Sequence, residues 1–201
     1  MKSTKQRITG ILLAGGKSRR MGQEKGELLL GNQRLFEYPL NLLESVCDEI
    51  LVSSCKAGNL FPGYRVVCDE IEGIGPMGGI HTCLKHSSTE LNIVLSYDMP
   101  LINEGLIRHL IGHSDEMELV VPALHPGKPE PLCGVYRKSM QKVLGELIEK
   151  RAYAVHRAIP LVRSLVVPIG LEMPFYRPDL FLNINQLSDL KHLPEDFGHE
   201  A

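Results

Sequence analysis

The 201-residue sequence lacks several features that would assign it to a specialised class of protein. It has no tryptophan and no excess of basic residues, since its formal net charge at pH 7 is −2. A chain that wraps nucleic acid usually carries a clear surplus of lysine and arginine, so the charge argues against a nucleic-acid partner. Local clusters of basic residues can still bind phosphate groups, and the charge balance leaves a nucleotide ligand open.

Long apolar runs are missing as well. No segment approaches the roughly 18 consecutive apolar residues of a membrane-spanning helix. The apolar run over residues 8–14 follows three basic residues, as in a secretory signal, but it is short and ends in Gly15 and Gly16 before further basic residues. We therefore expect a soluble, cytoplasmic protein with no membrane partner.

The cysteines are odd in number and never spaced as C-x-x-C, which argues against a zinc site. A disulfide framework is typical of small secreted domains and does not fit this chain. The sequence therefore predicts free, buried thiols in a reducing compartment at all five positions, which are Cys47, Cys55, Cys68, Cys83 and Cys133.

Apolar runs of strand length alternate with helical patterns along most of the chain. Because the runs lack polar alternation, they predict an α/β fold with a mostly parallel sheet covered on both faces. We expect a single domain over residues 1–201, with a frayed polar tail over 194–201. Ligands of such sheets bind beyond the carboxyl ends of the strands. The predicted strands are residues 8–14, 49–53, 65–67, 91–96, 119–122, 132–136 and 165–167, and the predicted helices are 35–46, 79–86, 104–112, 138–149 and 187–193.

The segment after the first predicted strand carries the strongest functional signal. Residues 13–25 read LAGGKSRRMGQEK, with three glycines and four cations. Glycines let backbone N–H groups approach a polyphosphate, and cations neutralise its charge, although a solvated basic loop without a ligand is the plainer alternative. A Walker loop is excluded because Ile11 stands where its first glycine is needed, and G-x-G-x-x-G is excluded because Gly15 and Gly16 are adjacent.

Two carboxylates follow predicted strands. Asp98 comes just after the strand 91–96, where it could hold Mg²⁺ with phosphate and water as further ligands, or cap a turn. Asp69 follows the strand 65–67 and precedes a turn that contains Gly75 and Gly79. That turn opens a helix, so it either offers backbone N–H groups to an anion or simply packs a tight turn against the sheet.

Two asparagines near the end of the chain also lie on an extended stretch. Asn183 and Asn185 are two residues apart, so their side chains point the same way and could bind a polar ligand. The alternative is that each caps or ties down the last helix.

These segments together resemble one family. Residues 13–25 resemble the signature L-A-G-G-x-S-x-R-M-G-x-x-K of the molybdenum cofactor guanylyltransferases, which belong to the wider group of Rossmann-like nucleotidyltransferases. Three further motifs of the family have counterparts here. Asp98 is the aspartate of a D-x-P motif that follows a strand, and Asp69 is the first residue of D-x(5–7)-G-P-[LM]-x-G-[IM]. Asn183 is the first residue of N-[IV]-N-x-x-[DE]-[DE]-L. Residues 128–132 resemble the family's P-L before a strand, in a region that meets the acceptor. The resemblance covers most of the chain and implies a Rossmann-like, three-layer α/β/α nucleotidyltransferase fold.

The resemblance also implies a reaction and a set of site residues. It implies transfer of GMP from GTP to the terminal phosphate of Mo-molybdopterin, which gives molybdopterin guanine dinucleotide and pyrophosphate in molybdenum cofactor biosynthesis. Mg²⁺ is the implied cofactor, and molybdoenzymes or other cofactor-assembly proteins are candidate partners beside the two substrates. The implied residues are Arg20, Lys25 and Asp98 for catalysis, Asp98 for the metal, Leu13, Ala14, Gly15, Gly16, Lys25, Ser53, Asp69 and Asp98 for GTP, and Gly75, Gly79, Asn183 and Asn185 for the acceptor.

The choice of base and acceptor stays open. Gly15 favours the guanylyl branch, because close cytidylyl relatives more often have Leu-Ala-Ala-Gly. Ser53 stands where the family often has asparagine, and its shorter reach leaves the base and ribose contacts undefined. One alternative is a related enzyme that uses CTP or another NTP on molybdopterin or on a sugar or alcohol phosphate. The other is a non-catalytic, nucleotide-binding regulatory domain, against which the presence of both Asp98 and Lys25 argues.

Overall fold

A computed structural model describes residues 6–15, 28–55, 60–125, 127–194 and 197. Its main feature is an eight-stranded sheet in the order β10-β7-β9-β6-β1-β4-β5, with β8 paired to β7 and a separate hairpin of β2 and β3. The strands are β1 Ile8–Leu13, β2 Leu29–Leu30, β3 Gln33–Arg34, β4 Glu49–Ser53, β5 Arg65–Val67, β6 Leu91–Ser96, β7 Leu119–His125, β8 Lys128–Pro129, β9 Cys133–Arg137 and β10 Ser164–Pro168. The helices are α1 Glu37–Val46, α2 Pro76–His86, α3 Glu104–Gly112 and α4 Met140–Glu149, with 3-10 helices at Val155–Leu161 and Leu187–His192.

The sheet is mostly parallel, as predicted. Strand β1 lies between β4 and β6 and is parallel to both. Strand β9 is inserted antiparallel between β6 and β7, and β8 pairs antiparallel with β7. All the other strands of this sheet therefore run the same way, and their carboxyl ends share one edge.

Helices cover both faces of the sheet and give two apolar cores. Alternate residues of β1 point to opposite faces, so Leu12 packs with α1 and α3 while Ile11 packs with α2 and α4. Leu43 of α1 and Ile80 of α2 are fully buried on their respective faces. The predicted α/β fold with helices on both faces of the sheet is thus confirmed.

The differences from the predicted elements have local causes. Helix α2 begins at Pro76 and not at Gly79, because proline is favoured at a first helical position. Gly75, just before the helix, has a backbone φ of 74°, which residues with a side chain rarely adopt. The two-residue strands and the 3-10 helix Val155–Leu161, which contains Pro160, have no periodicity that would predict them.

The last described residue packs against the first helix. Phe197, within the tail that was expected to fray, stacks its ring on Tyr38 with centroids 4.6 Å apart. Within the described ranges, no helix is long and apolar enough to cross a membrane.

Candidate active site at the carboxyl edge of the sheet

The register of the three central strands brings the predicted site residues to one edge. Leu13 pairs with Ser53 on one side and with Ser96 on the other. Beyond the ladder, the Ala14 N–H donates to the Ser53 carbonyl at 3.0 Å, and the Tyr97 N–H donates to the Leu13 carbonyl at 3.2 Å. The segment after β1 therefore begins between the ends of β4 and β6.

Part of the predicted loop lies outside the described residues. Gly16, Arg20 and Lys25 fall there, so their positions stay a prediction. Gly15 is described, and a Cβ added to it would meet only the Ser53 carbonyl, at 3.7 Å. This is an ordinary contact, so packing does not require glycine at this position.

Ser53 and Asp69 form a polar pair beyond β4 and β5. The buried Ser53 Oγ donates to Asp69 Oδ1 at 2.9 Å. Helix α2 closes over this pair, because a Cβ added to Gly79 would lie 2.3 Å from Ser53 Oγ and 3.3 Å from Asp69 Oδ1. Gly79, which we expected on the acceptor side, thus lies against the two residues expected to bind GTP.

Burial raises the pKa of Asp69 above its usual value, and the hydrogen bond from Ser53 partly opposes this rise. A half-buried carboxylate with a single hydroxyl donor is an acceptor that a ligand donor, such as an amino group or a hydroxyl, would complete. The pair is therefore suited to the neutral part of a ligand and not to its phosphates.

The prediction of five free cysteines is wrong at two positions. Cys55 and Cys68 form a disulfide just beyond β4 and β5, with Cα atoms 4.4 Å apart. Neighbouring strands bring the two residues together, since Ser53 pairs with Val67, Cys68 follows Val67 directly and Cys55 is two residues after Ser53. Cys47 is free and half-buried, and Cys83 and Cys133 are free and buried as expected.

Asp98 lies on the other side of β1, just beyond β6. Its half-buried carboxylate accepts a hydrogen bond from Ser96 Oγ at 2.6 Å, which orients it at the edge. Its carbonyl accepts from the Ile184 N–H at 2.9 Å. Asn183 and Asn185 flank Ile184, so the structure brings the predicted metal residue and both asparagines together.

The two asparagines do not cap the following helix. The capping box of the 3-10 helix Leu187–His192 is formed by Gln186 and Asp189. Asp189 Oδ2 also accepts from the Asn185 N–H at 2.7 Å, which fixes the backbone of this strap, residues 183–185. The cap of this helix is therefore formed by Gln186, while Asn185 is tied to the helix through its backbone N–H.

Glu130 is a site residue to which the sequence analysis assigned no role. The Ser96 N–H donates to the Leu132 carbonyl at 2.9 Å, which brings residues 130–132 to the end of β6. Glu130 Oε1 accepts from the Leu132 N–H at 3.3 Å. Burial raises the pKa of Glu130, the Leu132 N–H opposes the rise, and the negative charge of Asp98 adds to it. The signal in the sequence was a carboxylate beside a motif expected to meet the acceptor.

The donors at this edge are compatible with Mg²⁺. Among the described residues, no group of three or more His, Cys, Asp or Glu side chains could hold a metal ion by itself. Mg²⁺ usually takes one or two protein carboxylates and completes its shell with water and substrate phosphates. The carboxylate of Asp98 is a hard oxygen donor of the kind that Mg²⁺ prefers, and Glu130 lies close enough for the charge of Asp98 to raise its pKa.

Comparison with known proteins gives consistent results. Residues 10–163 match the model of the MobA-like NTP transferase domain. A protein of Carboxydothermus hydrogenoformans named "Probable molybdenum cofactor guanylyltransferase" is 31% identical over 96% of this chain and 98% of its own. A protein of Pelotomaculum thermopropionicum with the same name is 35% identical over 90% and 89%. The crystal structure of molybdopterin-guanine dinucleotide biosynthesis protein A from Archaeoglobus fulgidus shares the fold, with a TM-score of 0.77, 24% identity and coverage of 92% and 95%.

Proposed function

Because the chain belongs to the MobA-like NTP transferase domain family and is a nucleotidyltransferase, we propose that it transfers GMP from GTP to the terminal phosphate of Mo-molybdopterin. The products are molybdopterin guanine dinucleotide and pyrophosphate. The relatives' names supply the proposed substrates, and the geometry of the edge supplies the roles of the residues.

One observation supports this function most directly. Asp98 lies at the end of β6, with β1 between it and the Ser53–Asp69 pair, and its carbonyl bonds to Ile184 of the strap 183–185. A reaction that joins two phosphorylated molecules needs two binding surfaces that meet at one charged centre. In this proposal the nucleotide lies toward β4 and β5, and the acceptor lies toward the strap.

No protein nucleophile is needed. An oxygen of the acceptor phosphate attacks the α-phosphorus of GTP in line, and the bond to the pyrophosphate oxygen breaks. The residues of this chain orient both reactants and stabilise the charge that develops. The Ala14 N–H is taken by the Ser53 carbonyl, so the backbone N–H groups of Gly15 and Gly16 are proposed to hold the nucleotide, and Arg20 and Lys25 to neutralise the leaving pyrophosphate.

Asp69 is proposed to bind the base or ribose, with Ser53 holding its carboxylate in place. Gly79 of α2 lets the helix approach this pair, whereas Gly75, Asn183 and Asn185 are proposed to bind the acceptor. Asp98 would hold Mg²⁺, with Glu130 nearby as a second carboxylate. When bound, Mg²⁺ supplies positive charge for the phosphate oxygens.

The first experiment is calorimetric titration of the protein with GTP, CTP, ATP and UTP in the presence of Mg²⁺. Clear preference for GTP is expected. Preference for CTP or UTP would keep the chemistry and move the chain to the alternative enzyme, which uses another NTP on molybdopterin or on a sugar or alcohol phosphate.

A turnover assay separates the enzyme from a regulatory domain. Incubation of α-labelled GTP with Mo-molybdopterin should transfer the label to the acceptor and release unlabelled pyrophosphate. Tight GTP binding without any label transfer, in an assay where a known guanylyltransferase succeeds, would contradict the proposed function.

A further inference from the structure

The disulfide differs from the other cysteines in its exposure. Cys55 and Cys68 are exposed, whereas Cys83 and Cys133 are buried and Cys47 is half-buried. A small thiol or an oxidoreductase can therefore reach this sulfur pair more easily than the three free thiols.

The disulfide also lies next to the proposed nucleotide site. The Ser54 N–H donates to the Val67 carbonyl at 3.0 Å, and the disulfide crosslinks the chain just beyond this last strand bond. The Asp69 N–H then donates to Cys55 Sγ at 3.1 Å. Asp69 is thus held twice, at its backbone by the sulfur of Cys55 and at its carboxylate by Ser53 Oγ.

Reduction would remove one of these two constraints. Once the sulfur atoms separate, Cys55 Sγ is free to rotate away from the Asp69 N–H. The neighbouring anchor remains, because the Glu70 N–H donates to Thr82 Oγ1 of α2 at 3.2 Å. Reduction should therefore loosen Asp69 without detaching the chain that follows it.

We propose that Cys55–Cys68 is a thiol–disulfide exchange site whose oxidised form positions Asp69 for the nucleotide. This inference rests on the proposed function for the identity of the nucleotide. Its chemical partners are a dithiol reductant in one direction and a low-molecular-weight disulfide in the other.

The exchange balances without any further reagent. A thiolate of the dithiol attacks Cys68 Sγ, the Cys55–Cys68 bond breaks, and its electron pair leaves on Cys55 Sγ, which then takes up a proton. The second sulfur of the dithiol then attacks the mixed disulfide and releases Cys68. Two thiol protons pass to the two cysteines, and the dithiol becomes its own disulfide.

The test compares GTP affinity in the two redox states of the whole protein. Thiol titration after denaturation should count three thiols in protein treated with oxidised glutathione and five after dithiothreitol. Reduction is expected to weaken GTP binding by about 3- to 10-fold, the size of one misplaced hydrogen bond. The double variant Cys55→Ser with Cys68→Ser should bind weakly with or without reductant, and Cys47→Ser should respond like the wild type.

Several results would overturn the proposal. Five titratable thiols after oxidation would mean that the bond does not form. Equal GTP affinity in both redox states would mean that the disulfide affects stability alone.

If no nucleotide binds in either redox state, the proposed function is contradicted, and the inference about the disulfide needs its own measurement. Amide hydrogen exchange at Asp69 then decides the inference, because its exchange must become faster on reduction. Unchanged exchange would contradict the role of Cys55 Sγ.

Discussion

The two flanks of Asp98 are built in different ways. On the flank that we propose to bind the nucleotide (the nucleotide flank), defined as Ser53, Asp69 and Gly79, the paired ends of β4 and β5 and the packing of α2 bring the residues together, and a disulfide links the chain just beyond the two strands. On the flank that we propose to bind the acceptor (the acceptor flank), defined as Glu130 and the strap 183–185, the residues come from irregular segments. The strap bonds to the carbonyl of Asp98, and the segment of Glu130 bonds to the ends of β6 and β7.

Because of this difference, we expect the two flanks to tolerate substitutions to different degrees. A change on the nucleotide flank meets the packed face of α2 and the ends of two strands, so it should disturb stability as well as binding. A change to a side chain of the strap alters a surface whose backbone is already fixed by Ile184 and Asp189. The acceptor flank is therefore the part of this edge that can change its ligand at little cost to the fold.

The largest expected effect lies between the flanks. Asp98→Asn should lower kcat/KM by about 100-fold or more, because the residue loses charge where the reacting phosphates meet. Thermal unfolding should stay near the wild type, since Asn keeps the shape and an acceptor for Ser96. Asp48→Asn is the matched control, because Asp48 accepts from the Ile8 N–H at the opposite edge. Near-normal turnover of Asp98→Asn would remove Asp98 from the reaction.

Gly79→Ala should break the nucleotide flank. The added Cβ would lie 2.3 Å from Ser53 Oγ, so Ser53 must rotate and lose its bond to Asp69. We expect GTP affinity to fall by about 10-fold and the free energy of unfolding by about 1–3 kcal/mol.

Gly145→Ala is the control for this change. It also lies in a helix, but its Cβ would meet only His81 Nε2 at 3.4 Å, so we expect a gain of about 0.5–1 kcal/mol in stability. If both variants behave alike in calorimetry and denaturant unfolding, the tight contact at Gly79 carries no function.

Asn185→Ala should affect the acceptor flank alone. The KM for the acceptor should rise by about 5- to 10-fold, the size of one or two hydrogen bonds, while the Kd for GTP and the melting temperature stay unchanged. Asn41→Ala, on the exposed side of α1, serves as the control. An increase in the Kd for GTP equal to that in acceptor KM would show that the flanks are not separate.

The smallest effect concerns pH. Because burial raises the pKa of Asp69, the folded protein keeps this proton at a higher pH than the unfolded chain does. Stability should therefore fall as pH rises from about 4 through the raised pKa, and Asp69→Asn should remove this fall.

Unfolding in denaturant across this pH range measures the effect. Asp115→Asn, in an exposed turn, is expected to retain the wild-type slope. If Asp69→Asn also shows the wild-type dependence of stability on pH, other titratable groups cause the fall in stability.

How far the sequence predicted this edge depends on the flank. Apolar runs ending in Ser53 and Ser96 predicted both strands, and parallel strands share their carboxyl edge, so the meeting of residues 13, 53 and 98 followed from periodicity. The disulfide did not, because only the pairing of β4 with β5 makes Cys55 and Cys68 neighbours. Glu130 was missed because a two-residue strand and a turn carry it, and neither has a period.

The bond from Ile184 to the carbonyl of Asp98 has a consequence for the order in which the protein matures. The sheet from β1 to β9 is complete in the nascent chain before the strap has been synthesised, and chains fold from the amino-terminal side as they emerge. The nucleotide flank therefore exists first, and the two-substrate edge closes last. A nascent chain that stops before residue 183 therefore has the Ser53–Asp69 pair but lacks the strap that we propose to bind the acceptor.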